Sequence, residues 1–349
     1  MKKIYPKYFN KFTCIAGNCP DTCCAGWEVV IDEKFQNVYK SSNTPAAKKA
    51  VDRMYTDSDG DVCLKLTNGR CPMLNSHNLC EIYIDMGSDA LCNVCRTYPR
   101  FFKESDGYVI GGISLSCPEA ARLILEDDST KTIDDLGFIQ NQDDRIYFEI
   151  YNHLAKIIED GKFFGCNFEK LEYACDELVF GRDNFSLELI EECFKTPCDY
   201  TCDYAKNISD AILNLEILTD DFKNLCNEFK VYANNLDNEK TKFAFLKTVE
   251  TKEIKNIAIY LLYKYLWEAI NDGDILLWIK RAYGITRLIC ELCAKENNIS
   301  KQRLLRIAQL VSKEIEHNED NLLEFEEYCI ANLDLSSSAE LDKGIVKSE

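Results

Sequence analysis

Ten of the nineteen cysteines in this 349-residue chain lie within its first 117 residues. That crowding constrains the fold more than any other feature. Eight of the ten form two groups. One is compact: Cys14, Cys19, Cys23 and Cys24, in the run CIAGNCPDTCC. The other is spread over Cys71, Cys80, Cys95 and Cys117. Four thiols in so short a run exceed what a packed core uses. Gly17 and Gly26 let the backbone turn sharply enough to aim several thiols at one centre. Thiolates are the ligands of structural zinc and of iron–sulfur clusters, and a stretch with little regular pattern needs such a staple.

The N-terminal segment MKKIYPKYFNKFTC has no apolar stretch of the kind that directs secretion. The expectation is therefore a cytoplasmic protein, where thiols stay reduced and cysteines serve as metal ligands rather than disulfides. No run approaches the roughly 20 apolar residues of a membrane span, so no membrane insertion is expected. The net charge of −18 is uneven. Residues 1–125 carry 15 basic and 14 acidic side chains, and the rest carry 26 and 45. Such a chain is a poor match for nucleic acid. It suits a basic or lysine-bearing partner, although acidity also simply keeps helices soluble.

The pattern predicts a mainly α protein in which an irregular cysteine-rich metal-binding region is followed by an α-helical bundle or array. The expected division is 1–125, 126–334 and a disordered tail over 335–349. Within the first part, Trp27–Ile31 and Tyr108–Ile113 read as strands, and the middle of Ser41–Asp61 as one or two helical turns. A helix is expected from Pro118, with Ser116 or Cys117 as its cap. A thiol at that cap would feel the positive end of the helix dipole, which lowers its pKa. Beyond Asp144 the period is helical. Helices are expected at Arg145–Gly161 and Asn184–Phe194, as a pair over Ile208–Asn235 and Lys240–Ile270, after the turn Asn271–Asp274 with Gly284 as a mild weakness inside, from Ser300 as a cap, and over Asn321–Leu333.

The remaining cysteines carry less. Adjacent side chains diverge, so Cys23 and Cys24 do not readily bind one ion; one of them would serve a second centre, pack inside or be redox active. Cys92 and Cys95 are spaced like half a zinc knuckle, with no second such pair nearby. Cys290 and Cys293 share a face of a helix and read as small buried residues. Cys193, Cys198 and Cys202 read as structural. No two glycines are separated by a single residue, so there is no dinucleotide-type loop, and no P-loop motif is present. The only histidines, His77, His153 and His317, are too scattered for a histidine metal site or a Ser-His-Asp triad.

The blocks CIAGNCPDTCCAGWEVVID, CPMLNSHNLCEIY, LCNVCRTYPRF and ISLSCPEAARLIL, in that order, resemble the flagellin lysine-N-methylase (FliB) family. The front part is also similar to the CxxCxxCC zinc- or iron-chelating domain family. The resemblance runs from about Phe9 to Leu125. It implies methyl transfer from S-adenosylmethionine to flagellin lysines, with a cysteine-bound 4Fe-4S cluster. The ligand candidates it carries over are Cys14, Cys19, Cys23, Cys24, Cys71, Cys80, Cys95 and Cys117, in one centre or two. The Cys14–Cys19 spacing is longer than the domain's pattern, and Cys63 and Cys92 are extras. Glu119, Tyr98 and Arg100 are candidates for the chemistry because they adjoin the thiols; Glu119 reads better as a residue that favours a helix N-terminus, and Arg100 equally serves a surface or scaffold ion pair. The alternatives are a zinc- or iron-binding interaction protein without catalysis, and a thiol redox protein using Cys23 and Cys24.

Overall fold

The computed structural model describes residues 1–105, 107–180, 186–195, 202–236, 238–296 and 299–333. The expected tail over 335–349 and Cys198 lie outside them.

The front of the chain holds more regular structure than expected. Its strands are β1 (Lys2–Ile4), β2 (Val29–Val30), β3 (Met54–Thr56), β4 (Val62–Leu64), β5 (Arg100–Ser105) and β6 (Tyr108–Ile113). Between β2 and β3 lie helices α1 (Glu33–Ser41) and α2 (Pro45–Arg53), and between β4 and β5 lie the short α3 (Glu81–Met86) and α4 (Asn93–Thr97). Helix α2 is longer than the turn or two expected. Thr44 caps it by accepting from the Ala47 N–H, and Pro45 occupies the first position, where the missing N–H costs nothing.

The strands form two three-stranded sheets, in the orders β1-β6-β5 and β2-β4-β3. In the first, β1 runs parallel to β6 and β5 antiparallel to it. Phe101 pairs with Gly112 and Phe102 with Gly111. The ring of Tyr5 lies so close over Gly111 that a Cβ there would come within 2.6 Å of Tyr5 Cε1. Only glycine fits beneath rings packed flat on a strand.

Helix α5 (Pro118–Leu125) begins where expected, with Cys117 as its N-cap. The rest is helical: α6 (Gln142–Glu159), α7 (Phe168–Phe180), α8 (Leu187–Cys193), α9 (Cys202–Asn214), α10 (Asp220–Ala233), α11 (Asn238–Val249), α12 (Lys252–Lys264), α13 (Leu266–Asp272), α14 (Ile275–Ala294), α15 (Lys301–Glu316) and α16 (Glu319–Leu333). Among the described residues the protein is mainly α, with its sheets confined to the N-terminal third. The two long spans expected over Ile208–Asn235 and Lys240–Ile270 are instead broken. Thr219 caps α10 by accepting from the Phe222 N–H. The loop before it is held by distant side chains: Asn321 Oδ1 accepts from the Glu216 N–H at 2.8 Å, and Glu314 Oε2 accepts from the Leu218 N–H at 2.7 Å. Thr251 likewise caps α12. These partners take the backbone groups that a continuous helix would have used internally.

Two apolar cores result. The larger joins Ile4, Tyr108, Ile110, Ile113 and the α5 residues Ala120, Ala121 and Ile124 to the helices α6–α16. The smaller is made by Val29, Ile31, Phe35, Tyr39, the α2 alanines, Leu64, Met73 and Ile82, and it contains Cys71 and Cys92. No helix among the described residues is long and apolar enough to cross a membrane.

Candidate metal centre

The cysteine loop is shaped by its backbone. Ala16 takes a left-handed conformation and its N–H donates to Cys14 Sγ at 3.4 Å. Gly26, at φ 93°, lets the chain double back along residues 69–71. There the Gly26 N–H donates to Gly69 O at 3.0 Å and the Cys71 N–H donates to Cys24 O at 2.7 Å. That last bond sets Cys24 beside Cys71.

The thiols sort into two neighbourhoods that meet at Cys23 and Cys24. The charge of Cys14 is felt at Cys19, Cys23 and Cys117, and that of Cys19 at Cys117. The charge of Cys24 is felt at Cys71, Cys80 and Cys95, and that of Cys92 at Cys71 and Cys80. Packing divides them the same way. Cys24, Cys71, Cys80 and Cys92 belong to or line the smaller core, whereas Cys117 packs on the larger. The two neighbouring thiols of Cys23 and Cys24 are hydrogen-bonded to each other; that bond pushes the Cys23 thiol up and draws the Cys24 thiol down.

Cys80, Cys92 and Cys117 stand at the N-caps of α3, α4 and α5. Sequence reasoning found this only for Cys117, where the following proline marks it. The expected fall in the Cys117 pKa does not occur. Burial pushes this thiol up to about 11, against the pull of the Ala120 and Glu119 N–H groups. Desolvation of a would-be thiolate outweighs a helix terminus here. Burial likewise pushes Cys71 up to about 12 and raises Cys80. Cys92 joins the second neighbourhood, hydrogen-bonded to Cys95, although the sequence marked it as an extra. Cys63 sits apart on β4, its thiol donating to Asp57 Oδ2 at 3.4 Å. Cys290 and Cys293 are buried in α14.

Among the described residues, no three His, Cys, Asp or Glu side chains converge tightly enough to hold an ion in this geometry, and no described cysteine is shown in a disulfide. The donor chemistry nonetheless suits a soft metal: two sets of neighbouring thiols, from exposed Cys14, Cys23 and Cys95 to buried Cys71 and Cys92, that repel one another once ionised, an arrangement that bound cationic metal would relieve.

The helical array reaches into the cysteine loop through Asp21. Its carboxylate takes Arg306 Nη1 at 2.9 Å, Gln309 Nε2 at 3.0 Å and Lys313 Nζ at 3.3 Å, all from α15. Burial alone would raise the Asp21 pKa, but Lys313, the Thr22 N–H and Arg306 outweigh it and hold the carboxyl below its usual value. Lys313 also donates to Thr22 O at 3.3 Å and lies 5.0 Å over the Trp27 ring.

Next to this lock, Trp27 stacks on His317 at 4.6 Å, with Tyr98 5.9 Å from both rings. His317 Nε2 lies 2.6 Å from Ser116 Oγ, which also meets the Tyr98 hydroxyl at 3.1 Å and Ser114 Oγ at 2.8 Å. Burial, with Lys264 nearby, pulls the His317 pKa down to about 4, so the ring is neutral near pH 7. The fold thus gathers one histidine against the segment carrying Cys117, which spacing could not foretell. Tyr98 stands in this cluster, facing the charge of Cys117 and Cys23. Glu119 is instead tied to Arg122, at 2.7 and 2.9 Å. Arg100 lies 4.9 Å over the Phe12 ring and 3.4 Å from Phe12 O, a scaffold contact.

No family model matches the chain, and no solved structure matches it. Over 141 residues, 39% of the chain, it is 28% identical to a lysine-N-methylase of Salmonella typhimurium and 27% identical to a lysine-N-methylase of Salmonella choleraesuis. Over 128 residues it is 27% identical to the flagellar biosynthetic protein FliU of Salmonella muenchen. The match covers 35% of each lysine-N-methylase and 76% of the FliU protein. The chain therefore spans about a third of the length of the lysine-N-methylases it matches.

Proposed function

We propose that this chain is a cytoplasmic protein-lysine N-methyltransferase that acts on flagellin, takes S-adenosylmethionine as donor and carries a cysteine-bound 4Fe-4S cluster. The observation that carries the reading is the similarity to proteins named lysine-N-methylases, joined to a chain that gathers its N-terminal thiols into two neighbourhoods. The similarity to a flagellar biosynthetic protein supports flagellin as the substrate. The acidic helical part, which holds most of the net charge of −18, suits a lysine-bearing partner.

Cys14, Cys19, Cys23 and Cys117 would hold one centre. Cys24, Cys71, Cys80 and Cys95, with Cys92 beside them, would hold another. An iron–sulfur cluster bound there supplies electron transfer or an open iron position as a Lewis acid. The residues of the chain have their own tasks. A lysine nucleophile must first lose a proton, since its ordinary pKa is about 10.4. Low dielectric around Trp27, Tyr98 and the neutral His317 favours the uncharged amine. With its proton affinity pulled so low, His317 is a weak base, and its place beside Ser116 suits orientation rather than proton removal. Lys313 and Arg306 hold Asp21, and with it the loop bearing the first thiols.

Mass spectrometry of flagellin produced with and without this protein tests the reading. Methylation adds about 14 Da per methyl group on lysine; flagellin of unchanged mass sinks the proposal. Anaerobically purified protein that is colourless and holds zinc would replace the iron–sulfur part by a zinc staple.

A further inference from the structure

A cavity of about 240 Å³ lies away from the thiols, between the N-terminal strand and α12. Tyr8, Tyr151, Tyr260 and Tyr263 give it an aromatic lining, and Lys3, Lys7 and Asn256 also border it. Its charges are not balanced. Lys2 and Lys131 line it too, but Lys2 is paired with Asp135 at 3.2 Å and Lys131 with Asp127 at 2.6 Å. Lys3 and Lys7 are exposed and make no ion pair among the described residues. Two uncompensated ammonium groups repel a lysine side chain and attract an anion, so this is not an entry for a substrate lysine.

The polar wall is as specific. Asn256 is buried, and its Nδ2 donates to Leu125 O at 3.0 Å and to Asp127 O at 2.9 Å. Both amide hydrogens are spent, which leaves the carbonyl oxygen as an acceptor for a ligand N–H. Tyrosine faces stack on flat heterocycles.

We propose that this cavity binds an adenosine-type ligand carrying an anionic group. The heterocycle lies against the tyrosines, its exocyclic amine donates to Asn256 Oδ1, and its phosphate meets Lys3 and Lys7. One lining residue reaches toward the thiol region: the Tyr260 hydroxyl accepts from the Leu115 N–H at 3.0 Å, two residues before Cys117. With a phosphate as the anionic group, the cavity would be a nucleotide site separate from that of a methyl donor. The inference rests on the cavity and does not depend on methyl transfer.

Calorimetric titration of the full chain with S-adenosylhomocysteine, adenosine monophosphate and adenosine tests it. S-adenosylhomocysteine is a zwitterion, its ammonium cancelling its carboxylate, so the ligand that should bind more tightly than adenosine is adenosine monophosphate. The double variant Lys3→Glu/Lys7→Glu should weaken that ligand about tenfold, as the loss of roughly 1.4 kcal/mol implies, and leave adenosine unchanged. Thr130→Trp, at an exposed position on the cavity's border, should block all three. Melting curves confirm that each variant folds. Adenosine monophosphate that binds no more tightly than adenosine, or binding indifferent to both variants, overturns the proposal. Flagellin methylation plays no part in this readout, so the two proposals fail separately.

Discussion

The Nζ of Lys313 lies 3.3 Å from Oδ1 of Asp21, 292 positions earlier in the chain. Lys313 is 1% exposed and comes from the helical array; Asp21 sits inside the run of the first four cysteines. A buried cation is tolerated only with its partner in place, so the pair ties the order of the cysteine loop to the folding of α15. Lys313→Met should therefore destabilise the protein by about 3 kcal/mol, and the double variant with Asp21→Asn by less than the sum of the two singles. Urea unfolding of the four proteins checks this; strictly additive losses would show that the two groups do not act as a pair.

The division of the thiols at Cys23 and Cys24 predicts how metal is lost. Cys14→Ser and Cys117→Ser should each remove one pool of iron, and Cys24→Ser and Cys71→Ser another, each leaving about half of the total. Cys290→Ala should leave iron unchanged, since that thiol is buried in α14. Iron per chain, measured after anaerobic purification, distinguishes two centres from one; complete loss from every single variant would mean a single shared centre.

Glu316 is buried, with Lys264 Nζ and the Tyr265 hydroxyl each 2.6 Å from Oε1. Burial pushes its pKa up, but Lys264 and the hydrogen bonds from Lys264, Ser312 and Tyr265 prevail and leave it lowered. A depressed carboxyl pKa contributes stability above the unfolded value of about 4.3, and that contribution is lost as pH falls through the folded value. Glu316→Gln should thus cost about 3 kcal/mol near pH 7. The gap to wild type should close below about pH 4. Denaturation curves across pH read this directly, and a gap that does not change with pH would rule it out.

Gly284 lies where α14 crosses α16. A Cβ there would run into Cys329 Sγ, with Phe325 Cε1 at 3.4 Å. Gly284→Ala should raise the helix propensity of α14 and yet destabilise the protein by about 1–3 kcal/mol through overpacking. Cys329→Ala in the same chain should restore much of the loss. Thermal melting of the single and double variants separates close packing from propensity: a stabilised Gly284→Ala protein would leave propensity as the whole effect.

Much of the fold was legible locally. Proline after Cys117, serine at position 300 and the period of α6, α14 and α15 place helices and their starts, because capping and amphipathicity are written within a few residues. The breaks at Glu216–Thr219 and near Thr251 were not legible. The first is decided by Asn321 and Glu314, about a hundred residues away, which take backbone groups out of the helix; the second is set by the Thr251 side chain, which accepts from the Ile254 N–H. Gly284 read as a weakness because its neighbour on α16 is invisible in the sequence.

For the candidate centre, the sequence by itself determined the chemistry: a crowded run of thiols and too few histidines for another kind of site. The density and type of donors are properties of composition and spacing. Only the tertiary structure decided which thiols are neighbours, that Cys92 joins them, that burial overrides the helix terminus at Cys117, and that Lys313 and His317 come to the loop. Those outcomes depend on distance and desolvation, which are fixed when α15 packs against the front of the chain.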